Sequence, residues 1–293
     1  MTSVVDALVK KAGDWWPVIL VIAGLPFTVL SLLAWTLWTP WRGAWGRMFS
    51  LDGAEQRITA AWTAHTATPG ATVMFLLLIL AVAAGSSFTA LGIGLAAQEL
   101  WLSPWPAALR RWETRRIRRR EALWRQARDE WEEATRQGRT AEAHLAGIRR
   151  NSICLAPPTR ATWMGDRVVA TATRLRLHYD GFDLEFGWHR VWLALDTDVR
   201  AELNSTRARI DGAGTLTGWS TLYIALAVLW PPALVIACIL ALLSWRRARA
   251  NLDLLAHQME SAVDLTLRDL VERTGLPGPA GGHDLLTLFR KGA

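Results

Sequence analysis

Residues 222–249, LYIALAVLWPPALVIACILALLSWRRAR, decide how often this chain would cross a membrane. The apolar block that overlaps them, 219–245, would form a helix of about 40 Å at ~1.5 Å per residue. That length is enough for one tilted crossing. One crossing, however, would leave the arginine-rich end of the block outside the cell, against the positive-inside rule. A turn at Trp230-Pro231-Pro232 would keep both basic flanks inside. We therefore predict a membrane hairpin over 214–245, with a single crossing as the alternative.

The composition is typical of an integral membrane protein. The chain has 293 residues, of which 51% are hydrophobic, and the apolar residues gather in blocks separated by highly charged segments. Its 18 Trp greatly outnumber its 2 Tyr, and many of them flank the apolar blocks, as indole rings do at bilayer interfaces. The two cysteines, Cys154 and Cys238, predict no structural disulfide, which fits a reducing cytoplasm.

Two further apolar blocks, 15–38 and 71–97, predict transmembrane helices. Arginines crowd the region after the second block, so that end is predicted to be cytoplasmic, and the N-terminus with it. The sequence thus predicts an all-α membrane protein with about four transmembrane passes and both termini in the cytoplasm. Three passes are the alternative.

This topology divides the chain into predicted parts. Two of them lie in the membrane. The first, 15–98, contains two helices joined by an external loop at about 39–70. The second is the hairpin over 214–245. The cytoplasmic parts are the N-terminus (1–14), a helical domain (99–213), and an amphipathic helix with a flexible tail (246–293).

The second transmembrane block carries small residues on one face. Ala81, Gly85 and Thr89 follow each other at i, i+4 and i+8. Small residues at this spacing let another helix approach closely, and in an oligomer the same face can line a pore.

The segment 106–150 predicts one long charged helix in the cytoplasmic domain. An apolar stripe at nearly heptad spacing runs along it, and this stripe predicts either self-association as a coiled coil or packing against the same chain. The stripe contains Ile117, Trp124, Trp131, Leu145 and Ile148.

Arginines near the predicted membrane ends are expected to contact anionic lipid headgroups. We do not expect nucleic-acid binding, because no nucleic-acid-binding fold surrounds them. These arginines are Arg110, Arg111, Arg115, Arg116, Arg118, Arg119, Arg120, Arg246, Arg247 and Arg249.

The densest group of polar side chains lies around a predicted turn at Asp180-Gly181, between helices predicted to start near Trp163 and Leu184. It comprises His178, Asp180, Asp183, Glu185 and His189. These are metal-ligand types, but the spacing matches no metal site, and no nucleophile or phosphate-loop motif is present. We therefore predict no catalytic residue, metal or cofactor. Asp166-Arg167 predicts a structural ion pair at a helix start, and 182–188 also alternates in polarity like a short strand.

A recognisable pattern of residues lies within roughly 150–275, namely Pro158, Thr159, Arg160, Gly165, Asp166, Arg167, Tyr179, Asp183 and Trp188. In these residues the chain resembles a family of uncharacterised bacterial, mostly actinobacterial, multi-pass membrane proteins. The resemblance implies a membrane hairpin before the tail and a location in the inner (cell) membrane of a bacterium, without implying any activity. This chain departs from the pattern by an extra Asp180 and by His189 where the family usually has Pro.

The function predicted from these features is non-enzymatic. The chain would be an oligomeric membrane scaffold or sensor that recruits, or responds to, a cytoplasmic protein partner. One alternative is an oligomeric pore or channel that acts as the membrane effector of a stress or defence system. A second alternative is a membrane-bound hydrolase that uses the His178–His189 cluster.

Overall fold

The computed structural model describes residues 16–41, 54–66 and 68–274, and these form helices and turns without any strand. The all-α class is therefore confirmed. The predicted N-terminal part and the end of the predicted tail lie outside the described residues. The helices are α1 (Trp16–Trp41), α2 (Ala54–His65), α3 (Pro69–Leu102), α4 (Arg110–Arg136), α5 (Thr140–Ile153), α6 (Trp163–His178), α7 (Leu184–Ala194), α8 (Thr197–Ala227) and α9 (Ala233–Thr274).

The chain divides into two compact units. Met1–Ala97 and Gly212–Arg246 form the first, here called the apolar unit. Gln98–Asp211 and Arg247–Ala293 form the second, here called the charged unit. Each of the long helices α3, α8 and α9 contributes residues to both units.

The chain reverses direction between α8 and α9. Helix α8 ends at Ala227, and the backbone N–H groups of Ala233 and Leu234 donate to the carbonyls of Trp230 and Pro231 at 2.9 and 3.0 Å. Proline has no N–H to continue α8, so the Pro231-Pro232 pair favours a new helix start here.

Serine and threonine hydroxyls join the two arms of this hairpin. Ser220 Oγ donates to the Ala237 carbonyl at 2.8 Å, and Ser244 Oγ donates to the Ala213 carbonyl at 2.6 Å. Thr217 Oγ1 lies 2.6 Å from Ser244 Oγ. Successive contacts therefore pair later residues of α8 with earlier residues of α9, which makes the arms antiparallel.

Small residues bring the helices of the apolar unit into backbone contact. A Cβ added at Gly24 would lie 2.0 Å from the Ala83 carbonyl oxygen, and one added at Gly218 would lie 1.9 Å from that of Ala90. A Cβ at Gly94 would lie 2.7 Å from the Gly214 carbonyl carbon. Only glycine allows such approaches, so α3 packs against α1 and α8 at these positions.

Large apolar side chains of α3 point outward, whereas small ones point inward. Leu77, Phe88 and Leu95 are 55%, 60% and 65% exposed, while Ala83 and Ala90 are fully buried. A soluble core has the opposite arrangement. Among the described residues, only the helix Pro69–Leu102 is long and apolar enough to cross a membrane, with a mean hydropathy of 2.2 over a stretch of 18 of its residues.

The charged unit begins with a helical hairpin. Helices α4 and α5 are separate, so the prediction of one helix over 106–150 is wrong. The break lies at Gly138, whose φ of 68° is left-handed and ends α4 without steric strain. The apolar stripe is consequently divided. Trp124 is buried within the chain, whereas Leu145 on α5 stays 63% exposed.

The core of the charged unit joins α6, α7, α8 and α9. Phe182 and Val191 are fully inaccessible, and they pack with Leu203 and Val263. Gly187 makes room for this core, because a Cβ there would lie 2.4 Å from the Phe182 ring. The strand considered for 182–188 is not formed, since Leu184–Ala194 is helical.

Candidate functional site

Two consecutive charged residues at the start of α6 are both buried. Asp166 is 3% exposed and Arg167 is 2% exposed. The helix start is fixed by Thr162, whose hydroxyl accepts the Gly165 N–H at 3.0 Å as an N-cap. Charged residues are rarely buried to this extent without partners, so these two define the candidate site.

Asp166 accepts hydrogen bonds from the loop before α6 and from α4. Its Oδ1 accepts the backbone N–H groups of Thr159 and Arg160, both at 2.7 Å, and the Thr159 hydroxyl at 3.3 Å. Its Oδ2 forms an ion pair with Arg120. The predicted ion pair between Asp166 and Arg167 is therefore wrong, because successive helix residues point in different directions and meet different elements.

The partner of Asp166 belongs to a row of side chains on α4 at i, i+4 and i+8. Arg116 donates to the Ala161 carbonyl at 2.8 Å, and Trp124 donates its indole N–H to the Cys154 carbonyl at 2.9 Å. Between them, Arg120 donates to the carbonyls of Ile153 and Arg160 at 2.9 and 2.6 Å. Arg116 and Arg120 thus hold the loop 153–161; Arg120 is partly buried there, whereas Arg116 stays exposed.

Cys154 is enclosed by these contacts. It is 3% exposed, and burial is the main cause that raises the pKa of its thiol above the usual value. A buried thiol with a raised pKa carries little thiolate at neutral pH and is unreactive.

Arg167 lies against the side of α9. Its Nε donates to Asp253 Oδ1 at 2.6 Å, its Nη1 lies 3.4 Å from Glu260 Oε1, and its Nη2 lies 3.3 Å from a ring nitrogen of His257. Within α6, Nη1 also lies 3.3 Å from the Thr171 hydroxyl. We call these residues the Arg167 cluster.

Further contacts extend the cluster along both helices. Glu260 Oε1 accepts the Thr171 hydroxyl at 2.9 Å and an N–H of Arg174 at 2.6 Å. One turn beyond, the Tyr179 hydroxyl donates to Asp264 at 2.7 Å. Burial, followed by this hydrogen bond and the Asp264 charge, raises the pKa of Tyr179 to about 12. The contacts therefore form a polar interface between α6 and α9.

In the Arg167 cluster, the positive charge of the guanidinium is compensated by the carboxylates of Asp253 and Glu260. The guanidinium occupies the space between two carboxylates and a histidine, which in other surroundings are metal ligands. No group of three His, Cys, Asp or Glu side chains within the described part of the chain could hold a metal ion. The cluster can fix α6 against α9, and a change in any of its charges would loosen that contact.

The polar residues predicted around the Asp180-Gly181 turn have separate structural roles. Asp183 is the N-cap of α7 and accepts the N–H groups of Glu185 and Phe186. Asp180 has a left-handed φ of 44°, which suits a short polar side chain in a turn. His178 lines one cleft with Glu260 and Asp264, whereas His189 lines a different one with Trp188.

The predicted small-residue face is not the one used inside the chain. Ala81, Gly85 and Thr89 are exposed, and a Cβ added at Gly85 would meet no atom of the described residues within 4 Å. The inward face of α3 instead carries Ala83, Ser87, Ala90 and Gly94. Small residues thus recur at spacings of three and four on more than one face of α3, and the prediction that Ala81, Gly85 and Thr89 pack against another helix stays a prediction.

The arginines assigned to lipid headgroups have different surroundings. Arg249 lies 4.4 Å from the Trp163 ring centroid and donates to the Ser152 carbonyl at 3.0 Å, so it too is used within the chain. The following arginines have exposed side chains: Arg110, Arg111, Arg115, Arg116, Arg118, Arg119, Arg246 and Arg247.

Asp253, His257 and Glu260 were not predicted as site residues from the sequence. The sequence does contain a pattern that includes them, because these polar residues follow each other at i, i+4 and i+7 on α9, opposite an apolar face. Such a row is usually solvated, and the sequence contained nothing that placed Arg167 against it. The chain matches no protein-family model, no curated protein sequence and no solved structure, so no family is assigned to it.

Proposed function

We propose that the chain is a non-enzymatic integral membrane protein that acts as an oligomeric scaffold or sensor for a cytoplasmic protein partner. The observation that carries this proposal is the outward placement of large apolar side chains in the apolar unit. Val73, Met74 and Leu78 on α3 are 56%, 68% and 59% exposed, and Val235 and Leu242 on α9 are 62% and 58% exposed. Lipid is the solvent in which such a surface is stable.

The proposed topology has four passes, with both termini in the cytoplasm. The hydroxyl bonds between the hairpin arms support it, since they satisfy polar groups that would otherwise face hydrocarbon. The arms 212–227 and 233–246 would span roughly 24 and 21 Å at ~1.5 Å per residue, which is less than the usual ~30 Å. The proposal therefore includes local thinning of the bilayer at the hairpin.

The exposed arginines at the start of α4 support contact with anionic lipid. The connection from α3 is held locally, because Trp105 donates its indole N–H to the Leu100 carbonyl at 2.8 Å and its backbone N–H to Glu113 at 3.1 Å. Trp112, which is 65% exposed, lies among these arginines. An indole beside basic side chains suits the headgroup region of a bilayer.

Self-association is proposed through the outward small-residue face of α3. Ala81, Gly85 and Thr89 leave space for a second helix, and van der Waals packing drives such contacts in lipid. An anion pore is less well supported, because the Thr89 hydroxyl donates to the Gly85 carbonyl at 2.8 Å and the Ser86 hydroxyl donates to the Ala83 carbonyl at 2.9 Å. These hydroxyls have no free proton for a passing anion, whereas their oxygen lone pairs stay available to a cation.

Two experiments test the proposal. Alkaline extraction of membranes should leave the full-length protein in the membrane fraction, and a reporter fused at Ala293 should be active only on the cytoplasmic side. Release by alkali would refute membrane insertion, and an externally active reporter would refute the four-pass topology.

The oligomer is tested with matched glycine variants. We expect Gly85→Leu to reduce the mass of the detergent-solubilised protein to that of a monomer. Gly70→Leu is the control, because Gly70 also has open space around it but lies at the first turn of α3. An unchanged mass for Gly85→Leu, or a monomeric unsubstituted protein, would refute this interface.

A further inference from the structure

A cleft of about 450 Å³ lies between the start of α8 and the C-terminal half of α9, entirely within the charged unit. Its floor is apolar, because Leu195, Leu203 and Ala262 belong to the core of the unit. Its sides carry Val199 and Leu265, which are 40% and 77% exposed. The cleft thus offers apolar surface at its sides as well as its floor.

A polar side chain in the same cleft has one hydrogen-bonding atom without a partner. The amide Nε2 of Gln258 donates to Glu202 Oε1 at 2.9 Å, which fixes the orientation of the amide. Its Oε1 is buried and has no hydrogen-bond partner among the residues that the structure describes. A buried acceptor is normally paired, so this oxygen marks where an occupant would place a donor.

The charges around the cleft are mainly acidic. Asp196, Glu202 and Asp269 line it and are exposed, and His257 is the other titratable residue of the lining. An occupant that combines apolar side chains with basic ones would complement both the sides and the rim.

We propose that the occupant is the segment 284–291 of this same chain, DLLTLFRK. It places Leu285, Leu288 and Phe289 at i, i+3 and i+4, a spacing that puts apolar side chains on one helix face. Arg290 and Lys291 follow directly and match the acidic rim. Apolar contacts come from the first three residues, and charge complementarity comes from the last two.

The connecting residues are long enough to reach the cleft. Helix α9 ends at Thr274, and its distance along the helix to Gln258 is about 24 Å at ~1.5 Å per residue. The ten residues from Thr274 to Asp284 can span at most ~33–36 Å when extended. The segment can therefore reach the cleft from the end of α9.

Disulfide trapping in the full-length chain tests the proposal. In a Cys238→Ser background, we expect Leu265→Cys combined with Leu288→Cys to form an intramolecular disulfide upon mild oxidation, seen as a shift in gel mobility. The matched control pairs Leu288→Cys with Leu177→Cys, because Leu177 is equally exposed at 78% but does not line the cleft. Equal trapping in both pairs, or none in the first, would overturn the proposal, and a disulfide-linked dimer would assign the cleft to a second copy instead.

Hydrogen exchange provides an independent readout. We expect Phe289→Asp to increase exchange at least fivefold at amides of 199–203 and 262–266. Thr287→Asp should leave exchange unchanged, because position 287 lies off the face that carries Leu285, Leu288 and Phe289. Equal exchange in the unsubstituted protein and both variants would show that segment 284–291 does not occupy the cleft.

Discussion

Replacing Asp166 by Asn should open the loop 153–161 without changing the shape of the side chain. The Asn oxygen can still accept the N–H groups of Thr159 and Arg160, which now bond to Oδ1. The amide NH₂ would then face the guanidinium of Arg120, so a donor would replace the negatively charged acceptor. Arg120 would lose its buried counter-charge.

The expected magnitude follows from the remaining partners of Arg120. Removing one member of a buried ion pair typically destabilises a protein by ~3–5 kcal/mol. Arg120 keeps its bonds to the carbonyls of Ile153 and Arg160, and its side chain is 15% exposed. We therefore expect the lower end, about 3 kcal/mol, which corresponds to a factor of ~100 to 200 at 1.36 kcal/mol per tenfold change.

The thiol of Cys154 reports this opening directly. It is buried beside the loop, and its carbonyl accepts the Trp124 indole N–H. In a Cys238→Ser background, labelling of Cys154 by a thiol reagent should proceed in proportion to the population of open loop. Asp166→Asn should accelerate it about 100-fold at constant pH.

Asp180→Asn is the matched control, because Asp180 is exposed in a turn. It should leave the labelling rate of Cys154 within about twofold of that of the parent protein. An acceleration of less than threefold for Asp166→Asn would refute the reasoning, since it would mean that the Asp166–Arg120 pair does not hold the loop closed.

Three further predictions concern other contacts. Arg167→Met should destabilise the α6–α9 contact by about 2–3 kcal/mol, which increased hydrogen exchange in both helices would show. This is less than the ~3–5 kcal/mol usual for breaking a buried ion pair, because Asp253 is 45% exposed. Gly218→Leu should prevent the apolar unit from packing and lower its thermal stability. Gly212→Leu should not, because a Cβ at Gly212 has no neighbour within 4 Å in the described part of the chain; equal effects of the two variants would refute the backbone contact. Because the folded-state pKa of Tyr179 lies near 12 and its ordinary value near 10, its contribution to stability should be complete below pH 10 and lost as the pH rises through 12. Ultraviolet titration should place its tyrosinate absorbance near pH 12, shifted downward in Asp264→Asn, and an unshifted midpoint in that variant would contradict the assigned hydrogen bond.

Local chemistry made several structural features predictable. Pro231 and Pro232 lack N–H groups, and a turn between α8 and α9 contains both. The Asp180-Gly181 pair predicted a turn, and left-handed φ values of 44° and 87° occur there. These features depend on backbone restrictions within a few residues, which the sequence contains in full.

The single charged helix predicted over 106–150 shows where a local sequence pattern is insufficient, because the structure has two helices there. Gly138 lies in a helical pattern of charges and apolar residues, and such a glycine can be tolerated inside a helix or end it. The outcome depends on whether α5 can pack back on α4 and bury Trp124, Ala127 and Ala146. That gain comes from contacts across the hairpin, so the sequence pattern alone could not decide it.

The sequence by itself determined that the chain is helical, where its apolar blocks lie, and that Asp166 and Arg167 stand at a helix start. The tertiary structure decided what the two charges do. Asp166 pairs with a residue 46 positions earlier, and Arg167 pairs with one 86 positions later. A helix turns by about 100° per residue, so neighbouring side chains face different partners, and which helix lies on each side is set by the packing of the whole unit.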